Sequence, residues 1–183
     1  MTSYRVYNRS KNVDKYCASL VKRGAKLISD DGIYSSVYSH PTKKNTVIKI
    51  SEFSYGCPDG WFHYALFLIK NKIKSPHAPK IYTLSKYKNM YVATMEQLTP
   101  YAKNKKDFRS DFMFIDWNLN PGQKCNKKTT TDKLRRLKHF INMLNAYKPF
   151  EKLGVDIHEG NTMIRRKVLV LTDPFCGEMR PPS

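Results

Sequence analysis

The sequence predicts an α+β fold in two lobes, a small antiparallel sheet followed by a mostly helical part. Short apolar runs divided by turn-forming residues crowd the first hundred positions. Two long stretches with helical periodicity follow, and a polar turn with an apolar hairpin comes last. The boundary is expected at residue 98, giving lobes 1–98 and 99–183.

Residues 12–23 carry Val13, Tyr16, Leu20 and Val21 at helical spacing, and Gly24 follows where a helix C-terminus favours glycine. Two strands, 25–29 and 33–39, flank the turn Asp30-Asp31-Gly32, and a third at 46–51 follows a polar "HPTKKN" turn. Residues 59–72 read as a helix started by Asp59. A strand at 80–86, a Lys-Asn turn and a strand at 90–96 form a hairpin. A helix over 105–119 and a polar loop over 120–132 come next. A helix from 131 to 148 follows, with Leu134, Leu137, Ile141, Leu144 and Tyr147 as its stripe and Thr130 or Thr131 as N-cap. "TMIRR" and "KVLVLT" make a closing hairpin. Trp61, Phe62, Phe67 and Leu68 are core candidates. Phe112, Phe114 and Trp117 also read as core, although their basic neighbours suit a stacking surface for nucleic acid.

Charge narrows the partners. Lys and Arg number 33 against 15 Asp and Glu, a net charge of +18. Such a chain seeks polyanions, whether nucleic acid, an acidic protein face or nucleotide phosphates. The basic residues are scattered in short clusters, so a solvated basic surface is the plainer alternative. No stretch reaches the roughly 20 apolar residues of a membrane span. The N-terminus has no apolar run of a secretory signal, so a cytoplasmic protein with no membrane partner is expected. The four cysteines are widely spaced and read as reduced thiols.

The chemistry concentrates in "DIHEGN" at 156–161 and in Asp173 after the strand "VLVL". A hairpin across that interval would bring Asn161 and Asp173 together. Two oxygen ligands, completed by phosphates, suit Mg²⁺, which dehydrates reluctantly. Asp156 would stand nearby to orient or deprotonate a hydroxyl. The plain alternative is a turn rich in turn-formers, with His158 bonding a backbone carbonyl. Lys49 sits inside the apolar strand "VIKI", and the Gly32 turn with Ser35 and Ser36 precedes it. The order of glycine turn, strand lysine, helix, hairpin, D-x-x-x-x-N and strand-end Asp is the division of labour of a phosphoryl-transfer site.

"DGIYSSVYSHP…NTVIKI" and "DIHEGNTM…LTDP" resemble the protein-kinase-like fold. They are most similar to the early serine/threonine protein kinases of Autographiviridae-type short-tailed bacteriophages. The D-x-H-x-x-N form is also similar to small-molecule kinases of the aminoglycoside phosphotransferase type. The resemblance implies a minimal two-lobed kinase-like fold with a truncated helical lobe. It implies Gly32, Tyr34 and Ser35 at the phosphate tip, and Lys49 on the α- and β-phosphates of ATP. Met95, Glu96, Gln97 and Leu98 would link the lobes with their backbone facing adenine. Asp156 would be the catalytic base, with Asn161 and Asp173 as Mg²⁺ ligands. The implied activity is Mg-ATP-dependent phosphorylation of Ser or Thr in host proteins by a phage early protein in the host cytoplasm. The targets would be acidic proteins such as transcription or RNA-processing machinery.

Departures open an alternative. Gly154-Val155 replaces the His-Arg that usually precedes the catalytic Asp, and Asp173-Pro174-Phe175 replaces Asp-Phe-Gly. The helix "GWFHYALFLIK" has no Glu for Lys49, Asp59 and Glu52 being poor substitutes by position. Ten residues follow Asp173, so the activation segment is expected to be missing. These features fit a catalytically silent, kinase-shaped protein that inhibits a host factor or binds nucleic acid through its basic surface. Phosphorylation of a small molecule is a third reading, since it needs no peptide platform.

Overall fold

The computed structural model describes residues 10–30, 35–52, 60–101, 105–119 and 132–178. The fold is α+β with four α-helices among the described residues, and the chain divides into two compact units. The first comprises Met1–Cys57 and Lys80–Gln97, the second Pro58–Pro79 and Leu98–Ser183. The main boundary falls between Gln97 and Leu98, one residue before the expected one. The segment from 58 to 79, counted in the first lobe by chain order, belongs to the second unit.

The first unit is a five-stranded antiparallel sheet with one helix. Its strands are β1 (Leu27–Ser29), β2 (Ser35–Ser39), β3 (Thr46–Glu52), β4 (Ile81–Tyr87) and β5 (Met90–Glu96), in the order β1-β2-β3-β5-β4. β3 is central, which is why all seven of its residues are buried. Helix α1 (Lys11–Lys22) buries Val13, Cys17 and Leu20 against Tyr38, Ile48, Ile50 and Met90. α1 ends at Arg23, and Gly24 takes φ +95°, the left-handed geometry that glycine adopts without a Cβ penalty. At the other end Glu52 reaches the helix start. Its carboxylate accepts from the Ser10 N–H at 3.1 Å and from Asn89 Nδ2 at 2.8 Å. Asn89 Nδ2 also donates to Ser10 Oγ at 2.7 Å. A carboxylate at a helix N-terminus meets the positive end of the dipole, a favourable placement.

The second unit holds three helices and two small sheets. Helices α2 (Gly60–Lys70), α3 (Lys105–Leu119) and α4 (Asp132–Asn145) appear where the periodicity predicts them, within a few residues. The expected N-cap at Thr130 or Thr131 lies outside the described residues. The closing hairpin is β8 (Thr162–Arg165) with β9 (Val168–Leu171), and β6 (Thr99–Pro100) joins it on the β8 side. A second pair joins β7 (Leu153–Val155) to β10 (Phe175–Glu178). β6, β7 and β10 are too short to show a period in sequence, and each exists through pairing with a distant partner.

Aromatic packing fixes α2 on this unit. Phe150 stacks on Phe175 with ring centroids 4.4 Å apart, and Phe67 meets Phe150 edge-on at 5.2 Å. The buried Tyr64 hydroxyl donates to the Leu171 carbonyl at 2.8 Å. A Cβ built on Gly60 would fall inside contact distance of the Phe175 and Cys176 carbonyl oxygens, so only glycine permits this approach of helix to strand. On the far side of the hairpin, Arg165 donates to the carbonyls of Pro76 and Ala78 at 2.9 and 2.8 Å. Buried His77 lies between them in sequence, its Nδ1 donating to the Leu169 carbonyl at 2.9 Å. Lys133 pairs with Asp111, tying α4 to α3.

Candidate functional site

The segment from 156 to 161 leaves β7 and reaches β8 through a single 3-10 turn, Glu159–Asn161. The turn ends where Thr162 takes extended backbone and starts β8, and Gly160 within it has a local purpose. His158 Nδ1 accepts the Gly160 N–H at 3.0 Å, and a Cβ at Gly160 would lie 2.8 Å from the ring's Cε1. The imidazole was expected to bond a carbonyl. It caps a backbone N–H instead, because the ring folds over the turn it begins. Accepting at Nδ1 puts the ring proton of the neutral form on Nε2, which faces Asp156 Oδ1 at 3.8 Å.

Asn161 closes the loop on itself. Its Nδ2 donates to the Asp156 carbonyl and to Asp156 Oδ2, each at 2.9 Å. Both neighbours are acceptors, so the amide orientation is fixed by chemistry, and the Asn161 carbonyl oxygen turns to the opposite side. Asp156 is half-buried, and its Oδ1 lies on the side away from Asn161.

Asp173 is held from both flanks. The N–H and Oγ1 of Thr172 donate to the Asn161 carbonyl at 3.0 and 2.9 Å, while the Asp156 N–H donates to the Pro174 carbonyl at 2.9 Å. The hairpin register pairs Thr162 with Leu171, which sets Asn161 opposite Thr172. Asp173 therefore sits between two residues bonded to the Asp156 loop. Charge reports the same convergence. The Cys176 thiol has its pKa pushed up by partial burial first, then by the Asp156 carboxylate, with Asp173 adding to it. Tyr64 is raised well above the ordinary phenol range by full burial and by Asp173.

The remaining expected residues are distributed as follows. Lys49 belongs to the first unit, buried in β3 between Val37 and Ala93. Strand alternation puts it on the sheet face opposite Ile48 and Ile50, away from α1. The same alternation sends Glu52 to the α1 face, where Ser10 and Asn89 engage it. Ser35 opens β2 opposite Ser51. Gly32 and Tyr34 lie outside the described residues. Glu96 and Lys80 form a closed pair, through Glu96 N–H to Lys80 carbonyl at 3.0 Å and Lys80 N–H to Glu96 Oε1 at 2.6 Å. The Gln97 N–H is taken by the Asn45 carbonyl at 2.9 Å, so an adenine read by this segment would use its other backbone groups. Leu98 is half-buried and begins the second unit.

Among the described residues no group of three His, Cys, Asp or Glu side chains could hold a metal. The Asp173 carboxylate and the Asn161 side-chain amide oxygen are hard oxygen donors of the kind Mg²⁺ takes when phosphate oxygens complete its shell, and they do not make a closed zinc site. Sequence reasoning missed Tyr64 and Thr172. Thr172 stood within the quoted "LTDP" and was signalled by its place beside the Asp. Tyr64 had no local signal, because its partner lies 107 positions away. No protein-family model matches the chain, and no curated protein matches it.

Proposed function

We propose that the chain is a minimal protein-kinase-like enzyme transferring the terminal phosphoryl group of Mg-ATP to Ser or Thr hydroxyls of host proteins, as a phage early protein would. One observation carries this reading: the Asn161 amide locks Asp156 while the adjoining backbone bonds hold Asp173 beside it.

In this reading Asp156 Oδ1 accepts the proton of the attacking hydroxyl, and the bond to Asn161 keeps the other oxygen from competing for it. Asn161 and Asp173 would hold Mg²⁺, which supplies charge neutralisation for the phosphates. Lys49 would neutralise the α- and β-phosphates. Most of the rate would come from positioning and fixed charge, as phosphoryl transfer requires. The engagement of Glu52 at the start of α1 favours a second reading, a silent kinase-shaped binder.

Incubation with radiolabelled ATP, Mg²⁺ and bacterial lysate separates the two. Wild type should label proteins, whereas Asp156→Asn and Asp173→Ala should not. Absence of labelling together with no thermal shift on adding Mg-ATP would overturn the enzyme. Labelling of small molecules alone would move the acceptor to that class.

A further inference from the structure

Helix α4 sorts the basic cluster "DKLRRLKH" into two sides, and the phosphoryl-transfer reading uses neither. Leu137, Phe140, Ile141 and Leu144 are its buried side, while Arg135, Arg136, Lys138, His139 and Asn142 are exposed. At about 100° per residue, His139 and Asn142 lie within about 40° of Arg135, forming a ridge along the exposed side. Arg136 stands about 100° to one side of Arg135 and Lys138 about 60° to the other. One unbroken helix carries all five, so its geometry alone fixes their mutual placement.

Both ends of α4 are held on α3. Lys133 pairs with Asp111 near the first turn, and Asn145 Nδ2 donates to the Asn118 carbonyl at 3.1 Å at the last. The cations are not placed to stabilise the helix, because they do so in a last turn and α4 has none there. Arg135 meets Asp132 at 3.0 Å, but the two side chains are 74% and 75% exposed, and such a pair contributes little. What the face lacks narrows the partner. None of the large exposed hydrophobics among the described residues falls on α4, whereas protein interfaces centre on apolar and aromatic anchors. On α3, Phe114 is buried and Phe112 stacks on Tyr101 at 5.1 Å, so neither ring offers a face to unpaired bases.

We infer that the exposed side of α4 docks in the major groove of double-stranded DNA. Arg136 and Lys138 meet phosphates on the two flanks, and the ridge of Arg135, His139 and Asn142 turns to the base edges. The groove is about 12 Å wide, and a helix with its side chains is about 10–12 Å across. Flanking phosphate contacts set register and affinity, while Arg and Asn are side chains that bond base edges. A repeating anionic backbone suits a face that has charge but no apolar anchor. The docking does not depend on phosphoryl transfer.

The test uses a fluorescein-labelled DNA duplex of mixed sequence, read by anisotropy against the full chain across a salt series. The triple change Arg135→Gln, Arg136→Gln and Lys138→Gln keeps good helix formers at exposed positions, so the fold should persist. It should weaken binding at low salt by about tenfold or more and flatten the log–log salt slope by about 3, near one for each cation removed. A matched triple, Lys11→Gln, Lys15→Gln and Lys22→Gln, removes the same charge from exposed positions of α1. It should leave affinity and slope near the wild-type values. Equal weakening by the two triples would overturn the proposal, because net charge alone would then account for binding. No binding of the duplex would overturn it, as would tighter binding of oligothymidylate or displacement by polyglutamate as effective as by unlabelled duplex. An RNA duplex of equal length should bind more weakly, because its major groove is deep and narrow, and equal binding would overturn the groove docking.

Discussion

Asn161 gives both protons of its side-chain amide to a single residue, Asp156, one to the main-chain carbonyl and one to Oδ2. A side chain that bonds both the backbone and the carboxylate of its partner fixes that partner's rotamer as well as its position. Asn161→Ala removes both bonds and should cost about 1–3 kcal/mol of stability, read by denaturant unfolding. Asn161→Asp should cost more in metal-free buffer, because it sets a second carboxylate against two acceptor oxygens. Added Mg²⁺ should recover part of that loss if the site takes the metal. Failure of Mg²⁺ to raise the melting temperature of either wild type or Asn161→Asp would count against a metal role.

Tyr64→Phe deletes the buried hydroxyl that holds the Leu171 carbonyl, two residues before Asp173. The expected cost is about 1–2 kcal/mol, because the carbonyl is left unpaired in the interior. Labelling activity should fall by more than the folded fraction does, since the segment carrying Asp173 loses an anchor. Activity that tracks the folded fraction alone would restrict Tyr64 to stability.

Gly60→Ala places a methyl group against two backbone carbonyls, which cannot swing aside as a side chain would. Destabilisation of about 1–3 kcal/mol is expected from overpacking. Gly24→Ala meets open space, but its φ of +95° strains any other residue. The two glycines thus fail for different reasons, and a denaturant series on both variants checks the difference. Gly24→Asn should recover much of the loss at position 24, while Gly60→Asn should recover none at position 60.

Buried His77 provides the pH dependence. Burial is the main cause holding its pKa below the ordinary histidine value of 6.5. Lys133 and Arg165 push the same way, while the Leu169 carbonyl and Asp111 oppose them. A folded-state pKa below the unfolded one means that the unfolded chain takes up the proton first on acidification. The contribution of His77 to stability is therefore full above about pH 6.5 and declines as pH falls toward and through the folded value. His77→Asn keeps a donor for the Leu169 carbonyl without titrating. Its unfolding free energy should vary less between pH 7 and pH 5 than that of wild type. Parallel pH profiles would show that His77 does not couple to folding.

The helices were legible because their apolar positions recur with the helical period, as Val13 and Leu20 do on α1, although Val21 of the expected stripe is exposed and Cys17 is buried in its place. The Asp156–Asn161–Asp173 grouping was legible too, since one local hairpin brings its ends together and a two-residue turn leaves little choice of register. The assignment of 58–79 to the second unit was not. It depends on Gly60 touching Phe175 and on Tyr64 reaching Leu171, contacts between positions more than a hundred residues apart. Periodicity carries no information about such partners. The occupation of Glu52 was equally hidden, because alternation tells which face it takes but not that Ser10 and Asn89 wait there.

The long reach from α2 to the last strands also sets a timetable during synthesis. Tyr64 leaves the ribosome 107 residues before Leu171. At a translation rate of about 5–20 residues per second, that gap lasts on the order of 5–20 s. Through that interval the aromatic face of α2, with Trp61, Tyr64 and Phe67, waits without β10 and, for most of it, without Phe150. A nascent chain in that condition is a natural client for a chaperone that shields apolar helices. Slowing translation late in the message should therefore lower soluble yield, and supplying such a chaperone should restore it.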